Sequence, residues 1–156
     1  MRHLLILLLL CAACQSGKTG LTYIDKGWSI EASVFKTEEN VPIGLRTSIG
    51  EVWLPSEWEA DYTMRYAFGP YLQFSLPYGF YLEPRVECAY YAKLGTQVEP
   101  ECGLRLGWRY KSLEIFGGAR LPLGNGYRHE SFNPPEHEHI PSGLHPEFGI
   151  TWSFDF

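Results

Sequence analysis

Apolar residues recur at every second position along most of this chain, the period of a strand with one greasy and one polar face rather than of a helix. The closing segment is the plainest case: Phe148, Ile150, Trp152, Phe154 and Phe156 alternate with Gly149, Thr151, Ser153 and Asp155. Over 98–110, Val98, Pro100, Cys102, Leu104, Leu106, Trp108 and Tyr110 separate from Glu99, Glu101, Gly103, Arg105, Gly107 and Arg109. Over 80–92 the apolar set Phe80, Leu82, Pro84, Val86, Cys88 and Tyr90 opposes Tyr81, Glu83, Arg85, Glu87 and Tyr91. The pattern predicts eight strands, at 27–36, 43–54, 59–67, 71–76, 80–92, 98–110, 113–121 and 147–156. Tight turns at Pro77-Tyr78-Gly79 and Lys111-Ser112, a short loop at 93–97 and one long polar connection at 122–146 join the later ones.

The polar face is unusual in its cations. Six of the eight arginines (Arg46, Arg65, Arg85, Arg105, Arg109, Arg120) fall on charged strand faces, whereas the five lysines fall in turns, loops, strand ends or the N-terminal segment. A solvated sheet would use Lys freely; an enclosed space favours the planar guanidinium, which binds several carboxylates at once. The expected architecture is therefore all-β: an eight-stranded antiparallel up-and-down transmembrane β-barrel. Its interior carries Arg65, Glu83, Arg85, Glu87, Glu99, Glu101, Arg105, Arg109, Glu114 and Arg120. Turn lengths set Arg109 opposite Glu114, Tyr71 opposite Arg85 and Gln73 opposite Glu83, and keep Trp108 beside Ile115 and Phe74 beside Leu82 on the lipid side. They also set Cys88 opposite Cys102, read as two small apolar residues with a cross-strand disulfide as the alternative. Glu51 falls on the apolar face unless Gly50 marks a bulge, and Phe68-Gly69-Pro70 separates two short strands or kinks one long one.

A barrel needs an address, and the first residues supply one. Met1-Arg2-His3 and the apolar run Leu4–Leu10 read as a signal peptide over 1–13, too short for a spanning helix. Leu10-Cys11-Ala12-Ala13-Cys14 resembles a bacterial lipobox, which implies acylation of Cys14 and a tether over 14–26 before a barrel over 27–156. The closing strand, with its C-terminal Phe156, resembles that of bacterial outer-membrane β-barrels. The resemblance implies the outer membrane as location and its lipid and the barrel assembly machinery as partners. With the chain entering from the periplasm, Trp28, Trp53, Trp58 and Trp108 are expected at one rim with Phe80, Tyr110, Phe154 and Phe156, as an aromatic girdle.

Charge narrows function further. Thirteen Lys and Arg against eighteen Asp and Glu leave no basic face for nucleic acid. Eight strands enclose a space that side chains fill, so a wide pore is excluded and a narrow channel is an alternative. No cofactor is implied. Candidate chemistry concentrates in the long loop. His137, His139 and His145 have metal-donor chemistry without a zinc-module spacing. His129-Glu130-Ser131 resembles the His-x-Ser pair of barrel lipid A 3-O-deacylases, which implies His129 as base and Ser131 as nucleophile, with Glu147 available as orienting acid. That family places Asn directly after the Ser, whereas Phe132 intervenes before Asn133 here. The preferred reading is a non-catalytic barrel whose loop 122–146 recognises or shields at the cell surface.

Overall fold

The structure, a computed structural model, describes residues 16–24, 27–38, 41–54, 61–92, 98–123 and 144–155. Its strands are β1 (Ser16–Ile24), β2 (Gly27–Glu38), β3 (Val41–Leu54), β4 (Asp61–Leu72), β5 (Phe74–Ser75), β6 (Phe80–Tyr91), β7 (Val98–Tyr110), β8 (Leu113–Pro122) and β9 (His145–Asp155). Each pairs antiparallel with its neighbour in the order β4-β3-β2-β1-β9-β8-β7-β6-β5, and a β4–β6 pairing closes the sheet on itself. Because β5 continues β4 against the same face of β6, the result is a closed eight-stranded antiparallel barrel.

The strand count agrees with the sequence pattern, but two strands are placed differently. Residues 14–26, expected as a tether, contain β1, which pairs along its whole length with β2 on one side and β9 on the other. Its sequence, SGKTGLTYI, alternates only weakly because two glycines and two threonines blur the faces; two complete ladders decide the matter instead. Conversely, 59–67 and 71–76 belong to one arm. Pro70 has no N–H to donate, so bridging to β6 lapses at Gly69 and Pro70. It resumes in the same register at Tyr71↔Arg85, while the ladder to β3 runs straight through Leu45↔Pro70.

The extra leading strand reverses the direction of β2 and β3. Trp28 and Trp53 therefore lie at the end from which the 124–143 connection leaves, opposite Trp108, Tyr110, Phe80 and Phe154, which lie at the end of the tight turns. The single expected girdle becomes two, with Tyr23 against both Trp28 and Phe148 at one rim and Trp108 stacked on Tyr110 at the other. Trp58 and Phe156 lie outside the described residues, as does the leader with Cys14.

One register also differs. Cys88 faces Pro100 and Cys102 faces Val86, two residues from the expected pairing, and both thiols are free. The slip follows from a longer connection: the last pair is Tyr90↔Val98, leaving 91–97 to make the turn. A slip of two preserves facing, so no side chain changes sides. Glu51 needs no bulge, since Gly50↔Arg65 and Glu51↔Met64 are consecutive pairs, and it faces outward.

Inside and outside are inverted relative to a soluble domain. Among the described residues nine buried side chains are apolar and twenty-one are polar or charged, while Leu21, Ile30, Ile49, Leu104, Leu106 and Ile150 are exposed. Bulky inward side chains fit because glycine faces them across the ladder: Tyr81 opposes Gly107, Tyr71 opposes Gly44 and Phe116 opposes Gly149. A Cβ at Gly107 would lie 2.2 Å from the Tyr81 ring, whereas one at Gly117 would meet nothing within 4 Å. Gly107→Ala is accordingly expected to destabilise the barrel by about 1–3 kcal/mol and Gly117→Ala to leave it nearly unchanged, as read by urea titration of the refolded protein.

Candidate functional site

The lumen is the most highly organised chemical feature of the molecule. Among the described residues it buries seven carboxylates (Glu31, Glu83, Glu87, Glu99, Glu101, Glu114, Glu147) and six cations (Lys18, Arg46, Arg65, Arg85, Arg105, Arg120). Arg109, 35% exposed at the turn end, makes the seventh cation, so the charges balance. Every one of these residues sits on the inward parity of its strand, which is why a single alternation in sequence delivers them to one space.

The middle of the lumen is organised by Arg105 on β7. Its Nη1 and Nη2 donate to Glu31 of β2 at 3.0 and 2.8 Å, a bidentate pair across the full width of the barrel. Its Nε donates to Glu147 of β9 at 2.7 Å, and its guanidinium lies 3.9 Å from the Phe116 ring centroid. Glu147 also accepts from Arg85, Glu31 accepts from Thr22 at 2.7 Å, and Arg46 donates to Glu83 at 2.6 Å. These bonds tie β7 to β2 and β9, β6 to β9 and β3 to β6 across the lumen.

Toward the loop end the chain of charges continues through Arg85, 3.4 Å from Glu87, to Arg65, which donates to both Glu87 and Glu101. Glu87 and Glu101 are cross-strand neighbours. Two facing carboxylates would repel, and the Arg65 guanidinium between them removes that cost. Glu101 accepts further bonds from Arg120 and the Tyr91 hydroxyl at 2.7 and 2.6 Å. Above this, Ile24, Val52, Ala67, Ala89 and Tyr91 form a small apolar cluster. At the turn end Glu114 accepts from Lys18 and Arg109 at 2.9 and 2.6 Å, and Gln73 Oε1 accepts from the same two cations.

The ten interior residues named from sequence all lie on this inward face, nine of them buried and Arg109 at the rim. Sequence reasoning missed Lys18, hidden in the segment read as a tether, Glu31, and Glu147 as an interior residue. Lys18 is buried within β1 with its Nζ near the Phe35, Tyr71 and Tyr81 rings, and so departs from the rule that lysines avoid the interior. Glu31 was findable: it shares parity with Ser29 and Ser33 against Trp28, Ile30 and Ala32.

No family model matches the sequence, and no curated protein matches it. Among solved structures it is similar to Neisserial surface protein A, with a TM-score of 0.48 and 12% identity over 90% of this chain and 94% of that chain.

The loop candidates divide. His129, Ser131, His137 and His139 lie outside the described residues. Glu147 lies on the inward face of β9, where Arg85 and Arg105 hold it. His145 is buried on the same face, paired in register with Arg120. No group of three or more His, Cys, Asp or Glu side chains that could hold a metal forms among the described residues.

Proposed function

We propose that this protein is a non-catalytic outer-membrane β-barrel, sealed by its internal Arg/Glu network, that presents the connection over 122–146 to a ligand at the cell surface. The observation that carries the reading is the inversion of polarity: charges buried in equal numbers inside, large apolar side chains outside on every strand. Lipid accepts a closed barrel because all backbone polar groups pair within it and no edge is left. Strands β1–β4 and β6–β9, of 9–14 residues each, reach or exceed the length a tilted strand needs to cross. Aromatic belts at both rims fit two headgroup regions. The same reading makes the turn end periplasmic and the loop end extracellular, following the asymmetry of such barrels.

Cell fractionation with unheated and heated electrophoresis tests the proposal. The protein is expected in the outer membrane, with an unheated form of altered mobility, and in planar bilayers without steady conductance. Recovery in the soluble periplasmic fraction would overturn the membrane assignment; stable conductance steps would overturn the seal.

A further inference from the structure

Among the described residues the outer face carries an apolar depression. Thr19, Ala32 and Thr47 are successive cross-strand neighbours on β1, β2 and β3, so three small side chains form a row. Phe68 closes that row on one side and Trp152 on the other. Thr19, Ala32, Thr47 and Phe68, with Val34 and Leu45 in the adjoining row, line an almost wholly apolar groove of about 510 Å³ that Lys18, Ser33 and Arg46 also border and that reaches Phe154 at the turn end. The adjoining row toward the loop end carries the large Leu21, Ile30 and Ile49 instead.

Phe154 also borders a second hollow, of about 350 Å³ and opposite character. Ser16, Ser112 and Ser153 contribute hydroxyls there, and Arg109 and Lys111 contribute positive charge. Arg109 gives Nε to Glu114 and Nη2 to Gln73 yet remains 35% exposed toward this hollow. Lys111 stands exposed in a left-handed turn conformation, with φ at 55°. An apolar groove running along the barrel wall and a cationic, hydroxyl-rich hollow thus meet at one side chain. A free anion would use only the hollow, and an apolar partner only the groove.

We infer that the two together form a site for one anionic glycerophospholipid of the periplasmic leaflet, its phosphate in the Arg109–Lys111 hollow and an acyl chain along the Thr19–Ala32–Thr47 groove. The inference rests on the membrane reading above. Charge complementarity selects the headgroup and the groove selects a lipid over a soluble phosphate; the combined volume is in the range of small-molecule sites.

The test is native mass spectrometry of the full chain, released from neutral detergent after mixing with phosphatidylglycerol or phosphatidylcholine of identical acyl chains. Electrophoretic mobility first shows that each sample is folded. Phosphatidylglycerol is expected to be retained in one-to-one stoichiometry and preferred over phosphatidylcholine. Lys111→Asn, which keeps a residue tolerant of positive φ, should reduce that preference about five-fold, the factor one basic residue contributes near an anionic surface. Ala32→Phe, which fills the groove from outside, should weaken retention of both lipids. Equal retention of the two lipids by folded wild type, indifference to both substitutions, or a dimer that Ala32→Phe dissolves would each overturn the site while leaving the barrel intact. A chain that neither folds in detergent nor inserts into vesicles would instead overturn the membrane reading.

Discussion

Leu104→Arg is expected to destabilise the folded protein in vesicles by about 2–4 kcal/mol, the cost of a cation on the lipid face near the bilayer midplane. Leu104 is the middle residue of β7 and is 49% exposed, so no packing explanation competes. On a water-facing sheet the same change would fall within about 0.5 kcal/mol of neutral. Glu51 supplies the internal control. It already places a charge on the outer face, but near the end of β3, where the depth-dependent cost has faded. Glu51→Leu should therefore shift stability by no more than about 1 kcal/mol. Urea-dependent folding into vesicles, followed by tryptophan emission, reads both; a neutral Leu104→Arg would remove the lipid from the account.

One residue further along, the effect of charge inverts. Arg105→Leu removes charge rather than adding it, yet it is expected to cost about 3–5 kcal/mol, because it strands carboxylates that burial has already taken out of water. Glu147 would keep Arg85, and Glu83 would keep Arg46. Glu31 would lose its bidentate partner and retain only Thr22 and an Arg46 Nε 4.0 Å away. Adding Glu31→Gln to Arg105→Leu should therefore restore stability relative to the single variant, with a coupling of about 0.5–3 kcal/mol between the two positions. Arg105→Lys should not substitute, since an ammonium cannot make the fork to Glu31 and still reach Glu147. Additive losses in the double variant would show that the pair is not coupled.

The opposite behaviour of two adjacent residues also explains what the sequence could reveal. Wherever inward and outward residues differ sharply, as Glu99 to Arg109 differ from Val98 to Tyr110, alternation alone assigned the face, and a slip by one residue would reverse every assignment. Where both faces are small or mixed, as in Ser16–Ile24, alternation faded. The strand there is specified by β2 and β9, partners remote in sequence. Missing it hid Lys18 and turned Trp28 and Trp53 to the wrong rim. Pro70 misled for the converse reason: a lost hydrogen-bond donor looks like a strand end in sequence but costs only local bonding inside a ladder that continues on both sides. The Cys88 register failed because loop length, not facing, sets it. Glu147 had the inward parity of Gly149, Thr151 and Ser153, opposite Phe148 and Ile150. Its place in the network was legible once the strand was read for its polar face as well as its apolar one.

Tryptophan quenching by brominated phospholipids tests most directly whether the apolar face meets lipid. Trp28, Trp53, Trp108 and Trp152 all lie on outward positions, in belts near the two rims. Folded protein in vesicles should be quenched strongly, and more by bromines placed near the headgroups than by those at the bilayer centre. Emission that is indifferent to bromine at every depth would contradict the account.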